Sequence, residues 1–216
     1  MNGARRVIVL GSRNPGKSRE VRAALAGLPV ELRGLDEHPG VEMPEETGET
    51  FAENARLKAT VLAAQLGTWV LADDSGLCVD ALGGRPGVCS ARYAGPHTTD
   101  AEKVARLLAE LRDVAEPERT ARFVCALALA SPEGVLLEVE GVCEGRIAVE
   151  PRGANGFGYD PAFFYPDFGA TFAEVPLEKK TRVSHRGRAI RALAQQLPGL
   201  LAKQEQANGQ EVLRGH

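Results

Sequence analysis

The sequence predicts an α/β protein with a mixed β-sheet flanked by helices. Arg6–Leu10 is a short apolar run that leads through a turn-rich loop into a helical pattern, which indicates a strand, loop and helix unit. Further on, apolar residues alternate over 123–129 and again over 135–142, with a Ser-Pro-Glu-Gly turn at 131–134 between them. This pattern is typical of an antiparallel hairpin, so the sheet combines both strand directions.

Helical spacing places the first two helices. Val21, Leu25 and Leu28 share one face of the helix that follows the first loop. Segment 49–66 also has apolar residues at helical spacing, so we expect a second helix there. Four polar residues recur at four-residue steps before and within this segment: Glu46, Thr50, Asn54 and Lys58. If helical order extends back to Glu46, an acid and a base lie on one face of the helix.

A second buried strand is predicted at 68–72, and it ends in Asp73, Asp74, Ser75 and Gly76. We expect these four residues to form a loop after the strand, where functional residues are common. Should the strand continue, Asp73 and Asp74 would point to opposite sides of the sheet.

The clearest helix begins after Thr99, because Thr99 and Glu102 form a capping-box pattern ahead of a spaced apolar face. A glycine-bearing and aromatic loop follows at 153–161, and a last helix begins near Ser184. Beyond about Leu201 the composition turns polar. We therefore predict one domain over 1–201 and a frayed polar C-terminal tail over 202–216.

Composition limits the partners. The formal net charge of −3 gives no general attraction to nucleic acid or to anionic membranes, so any phosphate site must be local. No apolar run is long enough to span a bilayer and no signal-peptide pattern opens the chain, so we expect a cytoplasmic protein. The four cysteines lack the close pairing of a zinc site.

The loop from Gly11 to Ser18 matches the pattern of a P-loop. A glycine-bearing loop at a helix N-terminus has free amide groups and a favourable helix dipole for phosphate, and Lys17 adds a positive charge. The loop could equally be an ordinary strand-to-helix turn in which Lys17 is a solvent-exposed residue of the first helical turn.

Two carboxylate clusters, one at Glu45 and Glu46 and one at Asp73 and Asp74, suit an oxygen-seeking ion such as Mg²⁺. The glutamates could equally serve the N-terminus of a helix. Phe157 stands between glycines, where it could stack on a base or belong to the core.

Several of these blocks occur together and in order: Ser12-x-Asn14-x-x-Lys17, the run from Glu46 to Ala59 that contains Glu53, Asn54 and Lys58, Asp73-Asp74-Ser75-Gly76-Leu77, Gly156-Phe157-Gly158-Tyr159-Asp160-Pro161, and Ser184-His185-Arg186. In this combination the chain resembles the inosine triphosphate pyrophosphatase family, the non-standard purine NTP pyrophosphatases also called dITP/XTP pyrophosphatases. The resemblance covers about Val7 to Leu197.

The resemblance implies a long mixed sheet in two lobes with a central cleft, a homodimer, and Mg²⁺-dependent hydrolysis of ITP, dITP and XTP to the monophosphate and pyrophosphate. Glu46 and Asp74 would bind the metal, and Asp74 would also be the catalytic proton acceptor. Substrate would be bound by Ser12, Arg13, Asn14, Lys17, Ser75, Phe157, Gly158, Tyr159, Asp160, Lys180, His185 and Arg186. Glu53, Asn54, Lys58 and Asp73 lie in the shared motifs without an assigned role.

Two alternatives stay open from the sequence. A P-loop nucleotide kinase or NTPase would use the loop from Gly11 to Ser18, with Ser18 on Mg²⁺. A regulatory module would bind a nucleotide without turnover.

Overall fold

The computed structural model describes residues 5–214, and a seven-stranded sheet runs through them in the order β2-β1-β3-β4-β5-β6-β7. Strand β1 pairs in parallel with β2 and β3, whereas β3 to β7 pair antiparallel with their neighbours. The predicted mixed α/β sheet is confirmed.

The first half of the chain supplies two helices and three strands. They are β1 (Arg6–Leu10), α1 (Pro15–Leu25), β2 (Val30–Gly34), α2 (Phe51–Leu66) and β3 (Trp69–Val79). The second half supplies α3 (Asp100–Glu110), β4 (Thr120–Ser131), β5 (Gly134–Ile147), β6 (Phe163–Tyr165), β7 (Ala170–Thr171), α4 (Leu177–Val183) and α5 (His185–Arg214).

Three hydrophobic clusters divide the molecule into two lobes that share the long strands β3, β4 and β5. In the first lobe, one cluster packs α1 and α5 against one face of the sheet, and another packs α2 against the opposite face. A third cluster, which includes Leu77, Leu107 and Phe163, forms the second lobe around α3. Strand β3 passes from the first lobe to the second, and the two aspartates lie between its contributions to these cores.

Helix starts follow the sequence signals. Thr99 and Glu102 form the predicted capping box of α3, since the Glu102 amide donates to Thr99 Oγ1 and the Thr99 amide donates to the Glu102 carboxylate. Thr50 and Glu53 form the same arrangement at α2. Glu53 is exposed there and lies outside the cleft described below.

One expectation about an element end was wrong. Strand β3 does not stop at Ala72, because its backbone stays paired with β4 from Val70 opposite Ala130 to Val79 opposite Ala121. Helix α5 extends to Arg214, and the last two residues of the predicted tail lie outside the described residues. The assignment of 202–216 as a separate tail stays a prediction.

Candidate active site

Asp73 and Asp74 lie in the middle of β3 and face opposite sides of the sheet, as predicted for a continuing strand. Both side chains are buried, at 7% and 6% exposure. A buried carboxylate needs a cation or hydrogen-bond donors, so each side of β3 must supply them.

On its side of the strand, Asp74 contacts two residues of α2 that are one helical turn apart. Asn54 Nδ2 donates to Asp74 Oδ2 at 3.2 Å, and Lys58 Nζ donates to Asp74 Oδ1 at 3.3 Å. Lys58 Nζ also donates to Glu46 Oε1 at 2.6 Å. Asn54 is fixed in turn, since its Oδ1 accepts from the Gly48 amide at 2.7 Å. Carboxylates from two distant segments therefore converge on one ammonium group.

The electrostatics of this cluster oppose ionisation of Asp74. Burial raises the pKa of Asp74, Lys58 lowers it, the nearby Glu46 carboxylate raises it, and the net direction is upward. The pKa of Lys58 is also raised, because the surrounding carboxylates outweigh the effect of burial. Two neighbouring carboxylates thus compete for a single positive charge, which is the condition in which a further cation is stabilising.

The donor set fits a hard divalent ion such as Mg²⁺. Within the described part of the chain, no group of three or more His, Cys, Asp or Glu side chains could hold a metal ion by itself. Mg²⁺ is commonly held by one or two carboxylates together with substrate phosphates, so two converging carboxylates match that chemistry.

On the other side of the strand, Asp73 contacts α1 and α5. Its Oδ2 lies 2.7 Å from Lys17 Nζ and 3.9 Å from Arg186 Nη2, and it accepts from Ser75 Oγ at 3.0 Å. Burial acts to raise the pKa of Asp73, but Lys17 and Arg186 outweigh it and the pKa is lowered. Arg186 is also held by Glu20, whose Oε2 accepts from Nη1 at 2.7 Å.

The loop before α1 divides its side chains between two surfaces. Asn14 and Lys17 line the cleft, whereas Ser12 and Arg13 line a groove on the outer face of α1. Arg13 Nη2 donates to the Val41 carbonyl at 3.0 Å, which directs its side chain toward that groove. Ser12 Oγ accepts from the Asn14 amide at 3.2 Å. The structure therefore does not bring the Ser12 and Arg13 side chains into the cleft.

A buried ion pair supports the Phe157 loop. Lys180 Nζ donates to Asp160 Oδ2 at 2.6 Å, and the two side chains are only 3% and 2% exposed. The same carboxylate oxygen accepts from the Phe157 amide at 2.9 Å. Lys180 Nζ lies 4.8 Å from the centre of the Phe157 ring, and Arg186 Cζ lies 5.5 Å from it. The ring is held at the cleft by backbone and cation contacts together.

Tyr159 belongs mainly to the core. It is 5% exposed, packs in the cluster of the second lobe, and donates its hydroxyl to the Ser90 carbonyl at 2.9 Å. Both aromatic side chains, Phe157 and Tyr159, line the cleft, and Tyr159 also belongs to the core.

His185 opens α5 and stacks on Phe123, with ring centres 4.7 Å apart and planes 16° from parallel. It is buried, and its Nδ1 has no hydrogen-bond partner within the described residues. Burial lowers the pKa of His185 well below its usual range, and the positive charges of Arg186, Lys180 and Lys17 lower it further. The imidazole is therefore neutral at physiological pH, with one N–H donor and one acceptor nitrogen.

One cleft lies on the Asp73 side of β3. It brings together most of the residues that the sequence singled out, namely Asn14, Lys17, Ser75, Phe157, Gly158, Tyr159, Asp160, Lys180, His185 and Arg186. Glu46, Asn54, Lys58 and Asp74 form the carboxylate cluster on the opposite face of β3.

The Ham1 family model matches residues 8–196, which include every residue of the cleft and of the carboxylate cluster. The chain belongs to the Ham1 family. The resemblance seen in the motifs therefore holds along nearly the whole chain.

Two curated relatives of this Ham1 protein carry the same name. A dITP/XTP pyrophosphatase from Geobacillus kaustophilus is 51% identical over 189 residues, which cover 88% of this chain and 93% of the relative. A dITP/XTP pyrophosphatase from Geobacter sulfurreducens is 52% identical over 190 residues, which cover 88% and 96%.

Solved structures agree with the fold. A HAM1 protein from Coxiella burnetii has a TM-score of 0.84 at 43% identity, over 90% of this chain and 99% of that one. A nucleoside-triphosphatase/dITP/XTP pyrophosphatase from Mycobacterium abscessus has a TM-score of 0.72 at 48% identity, over 87% and 98%. Among residues 5–214, no helix is both long and apolar enough to cross a membrane.

Several side chains of this Ham1 site were missed in the sequence. Ser90, Asp100, Lys103 and Phe123 line the cleft, and Glu20 holds Arg186. The capping box at Thr99 locates Asp100 at the start of α3, but a helix start does not by itself indicate a cleft residue. Glu20 gave no signal, since it lies 166 residues from its partner.

The buried His185 makes the stability of this Ham1 protein depend on pH. Because its folded pKa is depressed, the unfolded chain binds more protons below the ordinary value of about 6.5. Its contribution to stability is complete above that value and is lost as the pH falls toward the folded pKa. His185→Gln should therefore lose less free energy of unfolding between pH 7.5 and pH 5 than the unsubstituted protein, measured by urea denaturation.

The exposed His97 provides the matched control. His97→Asn should keep the full pH dependence, because this side chain is not buried. Equal pH dependence in His185→Gln and the unsubstituted protein would contradict the assignment of His185 as a neutral buried group.

Proposed function

We propose that the chain hydrolyses non-standard purine nucleoside triphosphates, namely ITP, dITP and XTP, to the monophosphate and pyrophosphate in the presence of Mg²⁺. The names of relatives about 50% identical over most of the chain support the reaction and the substrate class. One observation carries the proposal for this site. The Asp74 carboxylate of β3 and the Glu46 carboxylate, which lies ahead of α2, meet at Lys58 on one face of the strand, where they would hold a divalent ion. The cationic and aromatic cleft lies on the other face.

Glu46 and Asp74 are the residues that would hold Mg²⁺, because their carboxylates converge on Lys58 Nζ. A bound divalent ion would neutralise triphosphate oxygens and polarise the phosphorus under attack. Lys58 keeps the two carboxylates together, and Asn54 orients Asp74 through a hydrogen bond to its second oxygen.

Asp74 is the proposed proton acceptor. An ionised Asp74 carboxylate beside a bound divalent ion would be placed to remove a proton from an attacking water. Attack of that water on the α-phosphorus joins the water oxygen to the monophosphate and breaks the bond to the β-phosphate oxygen. Pyrophosphate leaves with the bonding electrons, and its negative charge is stabilised by cationic side chains such as Lys17.

The far end of the cleft would select the base. Phe157 offers a ring for stacking, and the neutral His185 has an Nδ1 without a partner. A donor aimed at a 6-oxo purine pairs with hypoxanthine or xanthine, whereas adenine presents an amino donor there and leaves buried groups unpaired. Discrimination by unpaired polar groups can be large, so we expect ATP to be a poor substrate.

The P-loop alternative has weak support in the geometry of the first loop. Asn14 Oδ1 already accepts from the Gly16 and Lys17 amides at 2.9 and 3.2 Å, so these donors are not free to surround a phosphate. Ser18, which would hold Mg²⁺ in that reading, lines the outer groove.

The two readings make opposite predictions for a pair of variants. Ser18→Ala should change kcat by less than about threefold, because its hydroxyl lies outside the cleft. Glu46→Ala should lower kcat about 100-fold or more, because one of two proposed metal ligands is lost. Steady-state release of pyrophosphate from dITP measures both. Loss of activity in Ser18→Ala with Glu46→Ala intact would favour the kinase.

Incubation of the protein with ITP, Mg²⁺ and separate assays for pyrophosphate and orthophosphate tests the proposal itself. Pyrophosphate is the expected product, and repetition with ATP and GTP tests the selection of the base. Orthophosphate or phosphoryl transfer would favour the P-loop reading, and binding without turnover would favour the regulatory module.

The family resemblance also supports a homodimer. Sedimentation velocity at micromolar concentration should give the mass of two chains, and a monomer would contradict the proposed assembly.

A further inference from the structure

Helix α3 contributes a wall of the cleft that the proposed chemistry does not use. Asp100 and Lys103, in its first turn, line the cleft beside Phe157 and Gly158. Asp100 Oδ2 accepts from the Gly158 amide at 2.6 Å, and Lys103 Nζ donates to Asp100 Oδ1 at 3.1 Å. One carboxylate thus joins α3 to a loop that lies 58 residues further along the chain.

The loop that carries Gly158 lacks a strong conformational preference of its own. Gly156 and Gly158 have φ angles of +76° and +63°, and they stand on either side of Phe157. Glycine adopts many backbone conformations at similar cost, so contacts must fix the position of the aromatic ring. The Phe157 amide is held by Asp160 and the Gly158 amide by Asp100. Two consecutive amides are therefore bonded to carboxylates from separate elements.

The two carboxylates that hold the loop, those of Asp160 and Asp100, differ in their surroundings. Asp160 is buried with Lys180, so it belongs to the interior of the lobe. Asp100 has a side chain that is 49% exposed, and it holds the loop at the rim of the cleft. Tyr159 adds a buried link through the Ser90 carbonyl. Of these three contacts, the bond from Asp100 is the one that can be removed with little loss of core packing.

We propose that Asp100 is a positioning residue that holds Phe157 where a purine base stacks, acting through the Gly158 amide. Lys103 keeps the Asp100 carboxylate turned toward the loop. The proposal rests on the proposed function, because it assigns the Phe157 loop to the base. It extends that function to a residue of α3 that neither reacts nor binds the metal.

The expected signature is a change in KM without a change in kcat. Without an acceptor for the Gly158 amide, the loop samples positions in which Phe157 no longer meets the base, so binding weakens in the ground state and in the transition state alike. We expect Asp100→Ala to raise KM for dITP about fivefold to tenfold, the effect of losing one hydrogen bond of ordinary strength, because the acceptor is half exposed. The kcat should stay within about twofold, because Glu46 and Asp74 lie on the other face of β3.

Two further variants separate positioning from helix stability. Asp100→Asn keeps an oxygen acceptor for the Gly158 amide, so its KM should rise less than about threefold. Glu102→Ala removes the capping partner of Thr99 in the same helical turn, outside the cleft. It should lower the melting temperature at least as much as Asp100→Ala and leave KM unchanged.

Amide hydrogen exchange over residues 153–161, measured without substrate, provides a readout that does not depend on turnover. Exchange should be faster in Asp100→Ala and unchanged in Glu102→Ala. If Asp100→Ala has the KM and the exchange rate of the unsubstituted protein, the positioning role is wrong. If the unsubstituted protein releases no pyrophosphate, the proposed function is wrong, and the exchange rates alone decide whether Asp100 holds the loop.

Discussion

Asp74→Asn is expected to lower kcat for dITP hydrolysis by about 100-fold to 10,000-fold, the usual contribution of a general base. The amide keeps the shape of the side chain, and its oxygen can still accept from Asn54 Nδ2, so the fold should survive. What is lost is the negative charge that would accept a proton and share a divalent ion with Glu46. Initial rates of pyrophosphate release at saturating Mg²⁺ measure the effect.

Asp113→Asn is a matched control for this substitution. Asp113 carries the same side chain on the surface, where it is 89% exposed and pairs with Arg112. Its kcat should equal that of the unsubstituted protein. Retention of more than about a tenth of the activity in Asp74→Asn, with a normal melting curve, would remove Asp74 from its proposed role.

Lys180→Met is expected to cost about 3–5 kcal/mol of unfolding free energy, because it leaves the buried carboxylate of Asp160 without its cation. The remaining donor, the Phe157 amide, cannot compensate for a buried charge. Burial already raises the pKa of Asp160 against the lowering effect of Lys180. Without Lys180 that pKa should rise further, so stability should be lost as the pH rises through it, and the variant should be more stable at pH 5 than at pH 8.

Urea denaturation of three proteins tests this expectation. Lys179→Met changes the neighbouring exposed lysine of α4 and should cost less than about 1 kcal/mol. Lys180→Met combined with Asp160→Asn removes the unpaired charge and should recover part of the loss. A Lys180→Met protein as stable as Lys179→Met would show that the buried pair does not contribute to the free energy of unfolding.

The positions of the helices and of the central hairpin could be predicted because their signals are local. Thr99 and Glu102 cap α3 within one turn, and the apolar segment around Phe123 forms strand β4. The continuation of β3 through Asp73 and Asp74 could not, because two adjacent carboxylates look like the end of a buried strand. Cations from α1, α2 and α5 make their burial tolerable, and these contacts exist only in the folded chain.

The motifs of the candidate site could be predicted from the sequence, but the spatial arrangement of their side chains could not. Lys58 was placed near the carboxylates by its spacing from Glu46, but its position between Glu46 and Asp74 depends on how α2 packs against β3. For Arg13, the sequence motif and the position of the side chain disagree. Its place in the first motif suggested the cleft, whereas its bond to the Val41 carbonyl turns it to the outer groove. Neighbouring residues in a loop can face different surfaces, and sequence spacing alone does not distinguish them.

Hydrolysis of dITP in water enriched in ¹⁸O is the most direct test of the proposal that the carboxylate cluster and the cleft act together at the α-phosphorus. Mass spectrometry or ³¹P NMR then locates the label. The label should appear in the nucleoside monophosphate, with unlabelled pyrophosphate as the second product. Label in orthophosphate or in pyrophosphate would mean attack at another phosphorus and would contradict the proposed reaction.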